Sequence, residues 1–498
     1  MIARDKICAV VAAGSAQAMW QQLRNALEAT KTIELRLDWL KHDSEITRFL
    51  RQLAASPPPP HAVMIATCRR REGGGEYRGT IARQLIHLAE AIRAGCQWYD
   101  LEIESARLCP PELLDVLLGE GRRITSAHFF ERMPANLTQV VKELAHSEPE
   151  AIKVSAHCRS LADGLRLLRL ARTRRNIIAI PMGEVVLPLR VLGPREGSAL
   201  TYAPVETATA PGQISLGDMT TLYRGGRVSR KTRVYGVIGE PVGHSLSPVL
   251  QNAGFQARKM NAVYLPFLVH DLRDFLGAIK SLGIAGFSVT LPHKESILRH
   301  LNSCDPLAAS IGAVNTVVVR AGGKLHGYNT DYVGVLRALE RRIPLRGSRV
   351  LILGSGGAAR AVAFALAQGG AALCICTRRP ARARSLAKAV GGEALARGSL
   401  RREFFDAIVN ATPVGMYPRA DQSPLKADEL NCRLVFDTIY RPQRTILLRL
   451  AERRGIETVS GLEMFVAQGT AQWEIWTGER APVKQMRDAV LRALAYAS

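Results

Sequence analysis

The sequence predicts an α/β protein of two modules: a closed (β/α)8 barrel, then a two-lobed α/β unit with a dinucleotide-binding lobe. Three observations predict it. Eight short apolar runs alternate with helix-length segments between residues 7 and 205. A second strand–helix rhythm starts at Val234. Within that rhythm, "SRVLILGSGGAARAVAFALAQ" (348–368) reads as strand, glycine turn and helix.

The eight runs are "ICAVVAA" (7–13), "IELRLDWL" (33–40), "AVMIATC" (62–68), "WYDLEIE" (98–104), "RITSAHF" (123–129), "AIKVSAH" (151–157), "NIIAIPM" (176–182) and "ALTYAPV" (199–205). Segments such as "TIARQLIHLAEAIRAG" (80–95) separate them, with apolar residues three and four apart. Such alternation builds a TIM barrel, with an open doubly wound sheet as the alternative. The opening stretch loosely resembles a signal peptide, but its apolar part is short, and a first buried strand explains it better.

The polar, basic stretch 223–233 reads as a linker between a first module at 1–222 and the rest. The glycine turn marks a Rossmann lobe at 339–460, leaving 234–338 with 461–498 as a second lobe that binds substrate. The closing segment "PVKQMRDAVLRALAYA" (482–497) has the apolar spacing to pack back on that lobe.

Composition narrows function. The nine cysteines show no CxxC pair and no metal-ligand spacing, so they read as reduced thiols of a cytoplasmic protein, without a metal. Cys374 and Cys376 share one strand face as small core residues. No apolar run reaches membrane-spanning length. The net charge of +23 is spread along the chain without interleaved aromatics, so no nucleic-acid partner is expected; anionic small substrates, or an arginine-rich proteome, would give the same balance.

In a (β/α)8 barrel, reactive groups sit at the C-terminal ends of strands. Here the runs carry Glu34, Arg36 and Asp38 at alternate positions, then Arg69, Glu102, His128 and Lys153. Any one of these is explicable as an internal ion pair, but so many desolvated charges together point to a ligand. A partly desolvated lysine suits attack on a ketone to form an imine, and a neighbouring histidine suits proton transfer. Arg69 and Arg190 suit a carboxylate or hydroxyls.

In the second module, Gly354 and Gly356 allow close approach of a pyrophosphate to the helix that follows. The next strand ends at Thr377, and Arg378, Arg379 and Arg382 follow where an NAD enzyme places an acid, favouring NADP(H). Ser245, Ser247, Thr290, Lys294, Asn315, Thr330 and Asp331 are candidates upstream. A Lys294–Asp331 pair would shuttle a proton in alcohol/ketone interconversion.

Two resemblances rest on these residues. "ELRLD", "DLEIE", "SAHFF", "IKVSAH" and "APGQIS" resemble type I 3-dehydroquinate dehydratase over most of 1–220. That resemblance implies an imine on Lys153, His128 as general acid/base oriented by Glu102, and Glu34, Arg36 and Arg69 on ring hydroxyls. It also implies Arg190, Thr209 and Gln213 around the carboxylate. Arg70 is the alternative to Arg69, because the stretch between arginine and glutamate is tighter than in many relatives.

"GHSLSP", "VTLPHK", "GAVNT", "GYNTD", "NATPVGM" and "GLEMFVAQG" resemble shikimate dehydrogenase across 233–498. This implies Lys294 and Asp331 as the catalytic pair, with Ser245, Ser247, Thr290, Asn315, Tyr440 and Gln468 on shikimate. Gly354, Gly356, Gly357, Ala358, Thr377, Arg378, Arg382, Thr412, Met416 and Gly461 would line NADP(H). Ser288 stands where many bacterial members have asparagine, which bears on selectivity between shikimate and quinate. The combination resembles the bifunctional plant arrangement. It implies dehydration of 3-dehydroquinate to 3-dehydroshikimate, then NADPH-dependent reduction to shikimate. A catabolic quinate enzyme and a non-catalytic basic binding protein are the rival readings.

Overall fold

The computed structural model describes residues 5–206, 212–340 and 342–495. It divides into two compact units, Met1–Arg233 with Asn261–Leu282, and Val234–Met260 with Gly283–Ser498. The strand Ala262–Leu268 and the helix Leu272–Leu282 thus fall with the first unit, although the sequence boundaries place them in the second module.

The first unit is built on β1 (Ile7–Val11), β2 (Thr32–Arg36), β3 (Val63–Thr67), β4 (Trp98–Glu102), β5 (Arg122–Phe129), β6 (Ala151–His157), β7 (Ile177–Met182) and β8 (Thr201–Pro204). Successive strands pair in parallel from β1 to β7, and β8 returns to pair with β1. Where β7 and β8 meet, the Ala199 N–H donates to Ile177 O (2.9 Å), and the Ser198 hydroxyl accepts from the Ala179 N–H (3.0 Å). These bonds bring the sheet's edges together as a barrel.

Inside, Cys8, Val10, Ile65, Trp98, Ile124, Ile178, Ile180 and Tyr202 form one apolar cluster. Strands covered by helices on the outside and by side chains within are buried on both faces, so β2 is buried throughout despite its alternating charges. Several strands are shorter than their runs, β2 most of all: it stops at Arg36, and Leu37–Trp39 forms a 3-10 turn. Asp38 therefore leaves the strand face it was expected to share with Glu34 and Arg36.

In the second unit, strands Arg233–Gly239, Ile284–Val289, Thr316–Val319, Leu325–Tyr328 and Ser303–Cys304 are neighbours in that order. A further sheet is all parallel, ordered Glu393–Ala394, Ala372–Cys376, Arg349–Leu353, Phe405–Asn410, Cys432–Asp437 and Glu457–Val459. Numbered along the chain, that order is 3-2-1-4-5-6, the doubly wound nucleotide-binding arrangement. Its switch point lies between Arg349–Leu353 and Phe405–Asn410, so ligand is expected at the carboxyl ends of those two strands. One sheet face packs Val350, Ile352, Val362 and Phe436; the other packs Leu351, Leu353 and Val435 with Cys374 and Cys376.

The helix Val483–Ala495 buries Met486 and Val490, one turn apart. It packs on the helix Ser247–Ala257, where a Cβ on Gly254 would lie 3.1 Å from Met486 Sδ.

Candidate active sites

The barrel holds a buried charge cluster centred on Lys153. Its Nζ donates to Glu34 Oε1 at 3.1 Å and to Asp100 Oδ2 at 2.9 Å, and all three side chains are almost wholly enclosed. Asp100 also accepts from Arg69 Nη2 (3.2 Å) and the Ser126 hydroxyl (2.6 Å). Glu34 accepts from the Thr67 hydroxyl (3.0 Å). Burial pushes the Asp100 carboxyl up, but Lys153, Arg69, His128 and the Ser126 bond together outweigh it and hold that carboxyl well below its usual range. Asp100 was not singled out from the sequence, although it lies two residues before Glu102 on β4.

His128 stands on β5 beside β6, and its ring stacks on Phe130 with centroids 6.0 Å apart. Burial, then the charges of Arg69 and Lys153, push the imidazole well below its usual range. It is therefore neutral near pH 7 and can take a proton. Its Nδ1 is buried without a hydrogen-bond partner among the described residues.

Glu102 does not orient it. The Glu102 carboxylate accepts from Gln84 Nε2 (2.9 and 3.0 Å), the Ser105 hydroxyl (3.0 Å) and the Arg70 N–H (3.2 Å). The reason is local: β4 ends at Glu102 and the chain turns directly into the helix Ile103–Ala106. Burial still raises this carboxyl above its usual range. Its bond to the Arg70 N–H makes it a support for the loop that follows β3.

Arg69 faces the cluster, whereas Arg70 pairs with Glu72 at 3.0 Å, which decides between the two arginines. Arg36 is held in a two-bond fork by Asp38 (2.9 and 2.7 Å), which also accepts from the Glu76 N–H (3.2 Å). Arg190 is buried in the helix Leu187–Glu196, and among the described residues its guanidinium meets only the carbonyls of Pro181 and Tyr202, at 3.3 Å each. Burial lowers it to about 10, and its Nε has no partner among the described residues. A buried cation without an acid fits a carboxylate ligand. Gln213 is half-buried; a Cβ on its neighbour Gly212 would lie 2.5 Å from Gly183 O, just past β7. Thr209 lies outside the described residues.

In the second unit, Lys294 Nζ donates to Asp331 Oδ2 at 2.6 Å. Asn315 Nδ2 donates to Asp331 Oδ1 (2.9 Å) and to the Thr330 hydroxyl (3.0 Å), so the carboxylate is fixed from both sides. Gln472, which the sequence did not flag, holds Asn315 in turn. Gln472 Nε2 donates to its backbone oxygen (3.1 Å), and the Ser288 hydroxyl donates to Gln472 Oε1 (2.7 Å). Ser288 is thus engaged with the helix Gly461–Thr477.

Tyr440 stacks on Phe465 at 4.2 Å and hydrogen-bonds with the Ser245 hydroxyl, joining the two lobes. Ser247 is buried at the start of its helix, its N–H donating to Ser245 Oγ (3.2 Å). Thr290 and Gln468 are half-buried, with Gln468 Nε2 donating to Phe465 O (2.8 Å).

The glycine turn lies against the Lys294–Asp331 pair. A Cβ on Gly357 would meet Lys294 Cβ at 3.1 Å. Gly354 has φ +119°, and a Cβ there would be 2.8 Å from Ala411 O, whereas a Cβ on Gly356 would meet nothing within 4 Å. The helix Gly357–Gln368, which carries Ala358 in its first turn, starts at that open face. Thr412 donates its N–H and hydroxyl to Asn410 Oδ1 (3.0 and 2.7 Å), and Met416 is half-buried nearby in sequence. Gly461 opens the helix Gly461–Thr477, where a Cβ would lie 2.3 Å from Thr438 O.

A curated relative is a bifunctional 3-dehydroquinate dehydratase/shikimate dehydrogenase of Arabidopsis thaliana, described as chloroplastic. It is 36% identical over 96% of this chain and 82% of its own length. The chain belongs to the bifunctional dehydratase/dehydrogenase family.

Within this family assignment, a type I 3-dehydroquinase model matches residues 7–228. The shikimate dehydrogenase substrate-binding domain matches 237–317, and a shikimate 5'-dehydrogenase C-terminal domain matches 461–491. The NADP(+) shikimate dehydrogenase of Methanothermobacter thermautotrophicus is 44% identical over 54% of this chain and 99% of its own length. A shikimate dehydrogenase solved with NADP+ is 38% identical, with TM-score 0.51, covering 54% of this chain and 97% of that one.

The residues present fit NADP(H). The open face at Gly356 admits a pyrophosphate at the helix start, and Arg378 and Arg382 are exposed beyond Thr377. The Thr377 hydroxyl accepts from the Arg379 N–H (2.9 Å), shaping the loop that carries them. Replacing Arg378 and Arg382 together by alanine is expected to raise KM for NADPH by on the order of 100-fold while leaving KM for NADH nearly unchanged. Initial rates with each coenzyme check this; an equal rise for both would mean that the arginines do not read the 2′-phosphate.

Proposed function

We propose that the barrel dehydrates 3-dehydroquinate through an imine on Lys153 and that the second unit reduces the product with NADPH to shikimate. The observation that carries this is the enclosure of the Lys153 amine between Glu34 and Asp100, in the same chain as a Lys294–Asp331 pair against a glycine turn.

Lys153 joins the substrate ketone with loss of water, and the cationic nitrogen then draws electrons from the neighbouring carbon. Neutral His128 takes the proton from that carbon and returns it to the hydroxyl that leaves as water. Glu34 and Asp100 are the nearest acceptors for protons that the amine sheds. Arg190 holds the carboxylate, since among the described residues its buried guanidinium has only carbonyl partners. Arg36 and Arg69, fixed by Asp38 and Asp100, face ring hydroxyls.

When bound, NADPH supplies the hydride for the second step. Lys294 gives a proton to the ketone oxygen as it becomes a hydroxyl. Asp331, locked by Asn315, holds the Lys294 ammonium in place. Ser245, Ser247, Thr290, Tyr440 and Gln468 would surround the ring of shikimate.

The proposed division is a dehydratase at 1–222, a joining segment at 223–233, a substrate lobe at 234–338 with 461–498, and a cofactor lobe at 339–460. The family matches at 7–228, 237–317 and 461–491 support it. A reducing compartment such as the cytoplasm suits nine free cysteines, seven of them buried.

The test is direct. Given 3-dehydroquinate and NADPH with no second enzyme, the intact chain is expected to oxidise NADPH and release shikimate. Accumulation of 3-dehydroshikimate with NADPH untouched would overturn the second half of the reading, and unchanged 3-dehydroquinate the first.

A further inference from the structure

The Lys153 ammonium has a third neighbour besides its two carboxylates. Its Nζ lies 4.1 Å from the ring centroid of Tyr202, on β8, within cation–π range. Tyr202 is buried, its hydroxyl has no hydrogen-bond partner among the described residues, and its backbone oxygen accepts from Arg190. The ring therefore offers Lys153 a face rather than an acceptor. Burial raises the phenol well above its usual range, so it stays protonated.

We propose that Tyr202 is a further catalytic residue of the dehydratase, its ring face stabilising the cationic imine that forms on Lys153. This rests on the imine reading of Lys153.

The chemistry of the nitrogen gives the reason. An ammonium and a ketone combine to an iminium and one water; the carbonyl oxygen leaves with two of the three nitrogen protons, and the positive charge stays. Three N–H donors become one. Glu34 and Asp100 are both engaged through N–H donors, so the iminium can satisfy only one of them in the same way. The ring needs no N–H. It responds to the charge, which persists until hydrolysis, and in this enclosed site that attraction is little screened.

The test compares Tyr202→Phe with Tyr202→Leu and Tyr202→Met in the full chain, where methionine keeps more of the volume should leucine unfold the barrel. Dehydratase kcat, and borohydride inactivation in the presence of 3-dehydroquinate, are measured for each; dehydrogenase turnover reports the integrity of the other unit. The non-aromatic variants are expected to lose about tenfold in kcat and in trapping rate, with Tyr202→Phe restoring most of both. Wild-type kcat in both non-aromatic variants would overturn the proposal, as would a Tyr202→Phe loss equal to theirs, which would assign the effect to the hydroxyl. If the wild-type chain itself forms no borohydride-trapped adduct, the imine reading and this inference fail together. An adduct that forms at the wild-type rate in all variants overturns the inference alone.

Discussion

Replacing Lys153 by arginine is expected to stop dehydration of 3-dehydroquinate, by roughly 10⁴-fold or more, while reduction of added 3-dehydroshikimate continues. Arginine keeps a cation between Glu34 and Asp100 but cannot present a neutral amine, so it separates the chemistry from the charge balance. Alanine is the harsher change, since it also strips the partner from two buried carboxylates. Arg69 and Ser126 still support Asp100, which puts the expected cost of Lys153→Ala near the low end for a broken buried pair, about 3 kcal/mol.

That cost depends on pH in a definite direction. The folded Asp100 carboxyl titrates below its unfolded value, so its pairing stabilises the fold fully above the unfolded pKa of about 3.9 and is lost as pH falls through the folded value. The stability gap between wild type and Lys153→Ala is therefore widest near neutrality and narrows below about pH 4. Urea unfolding of the barrel at pH 7 and again well below pH 4 measures it. A gap that widens on acidification would mean that Asp100 is not the group left unpaired.

The site was legible where its signal is local. Strand alternation placed Glu34, His128 and Lys153 toward the barrel axis, because all three lie on strands that continue through them. It failed where a strand stops. Asp100 and Glu102 share a face by spacing, yet β4 ends at Glu102 and the turn sends that carboxylate to Gln84, leaving Asp100 as the acid beside the lysine. Asp38 left its expected face for the same reason. A pattern of period two carries no information about where its ladder ends. The Gln472 bond to the Asn315 backbone was illegible on other grounds: it spans 157 positions and uses a main-chain atom, which no residue pattern announces. The doubly wound order of the nucleotide lobe follows from the strand–turn–helix at 348–368, because a right-handed crossover leaves few alternatives.

Replacing Lys294 by methionine is expected to lower kcat for 3-dehydroshikimate reduction by about 10²- to 10⁴-fold, the range for loss of a positioned acid. Dehydration is expected to continue, so this variant given 3-dehydroquinate and NADPH accumulates 3-dehydroshikimate, which chromatography detects. Asp331→Asn keeps the shape and the bond with Asn315 but removes the charge that faces the Lys294 ammonium at 2.6 Å. If the two act as one device, the second substitution finds little left to remove, and the double variant falls no further than Lys294→Met alone. Losses that multiply would mean that Asp331 serves the substrate independently of the lysine. The geometry favours the first outcome: one carboxylate oxygen is committed to Lys294 and the other to Asn315, so holding the lysine is the main thing this acid is placed to do.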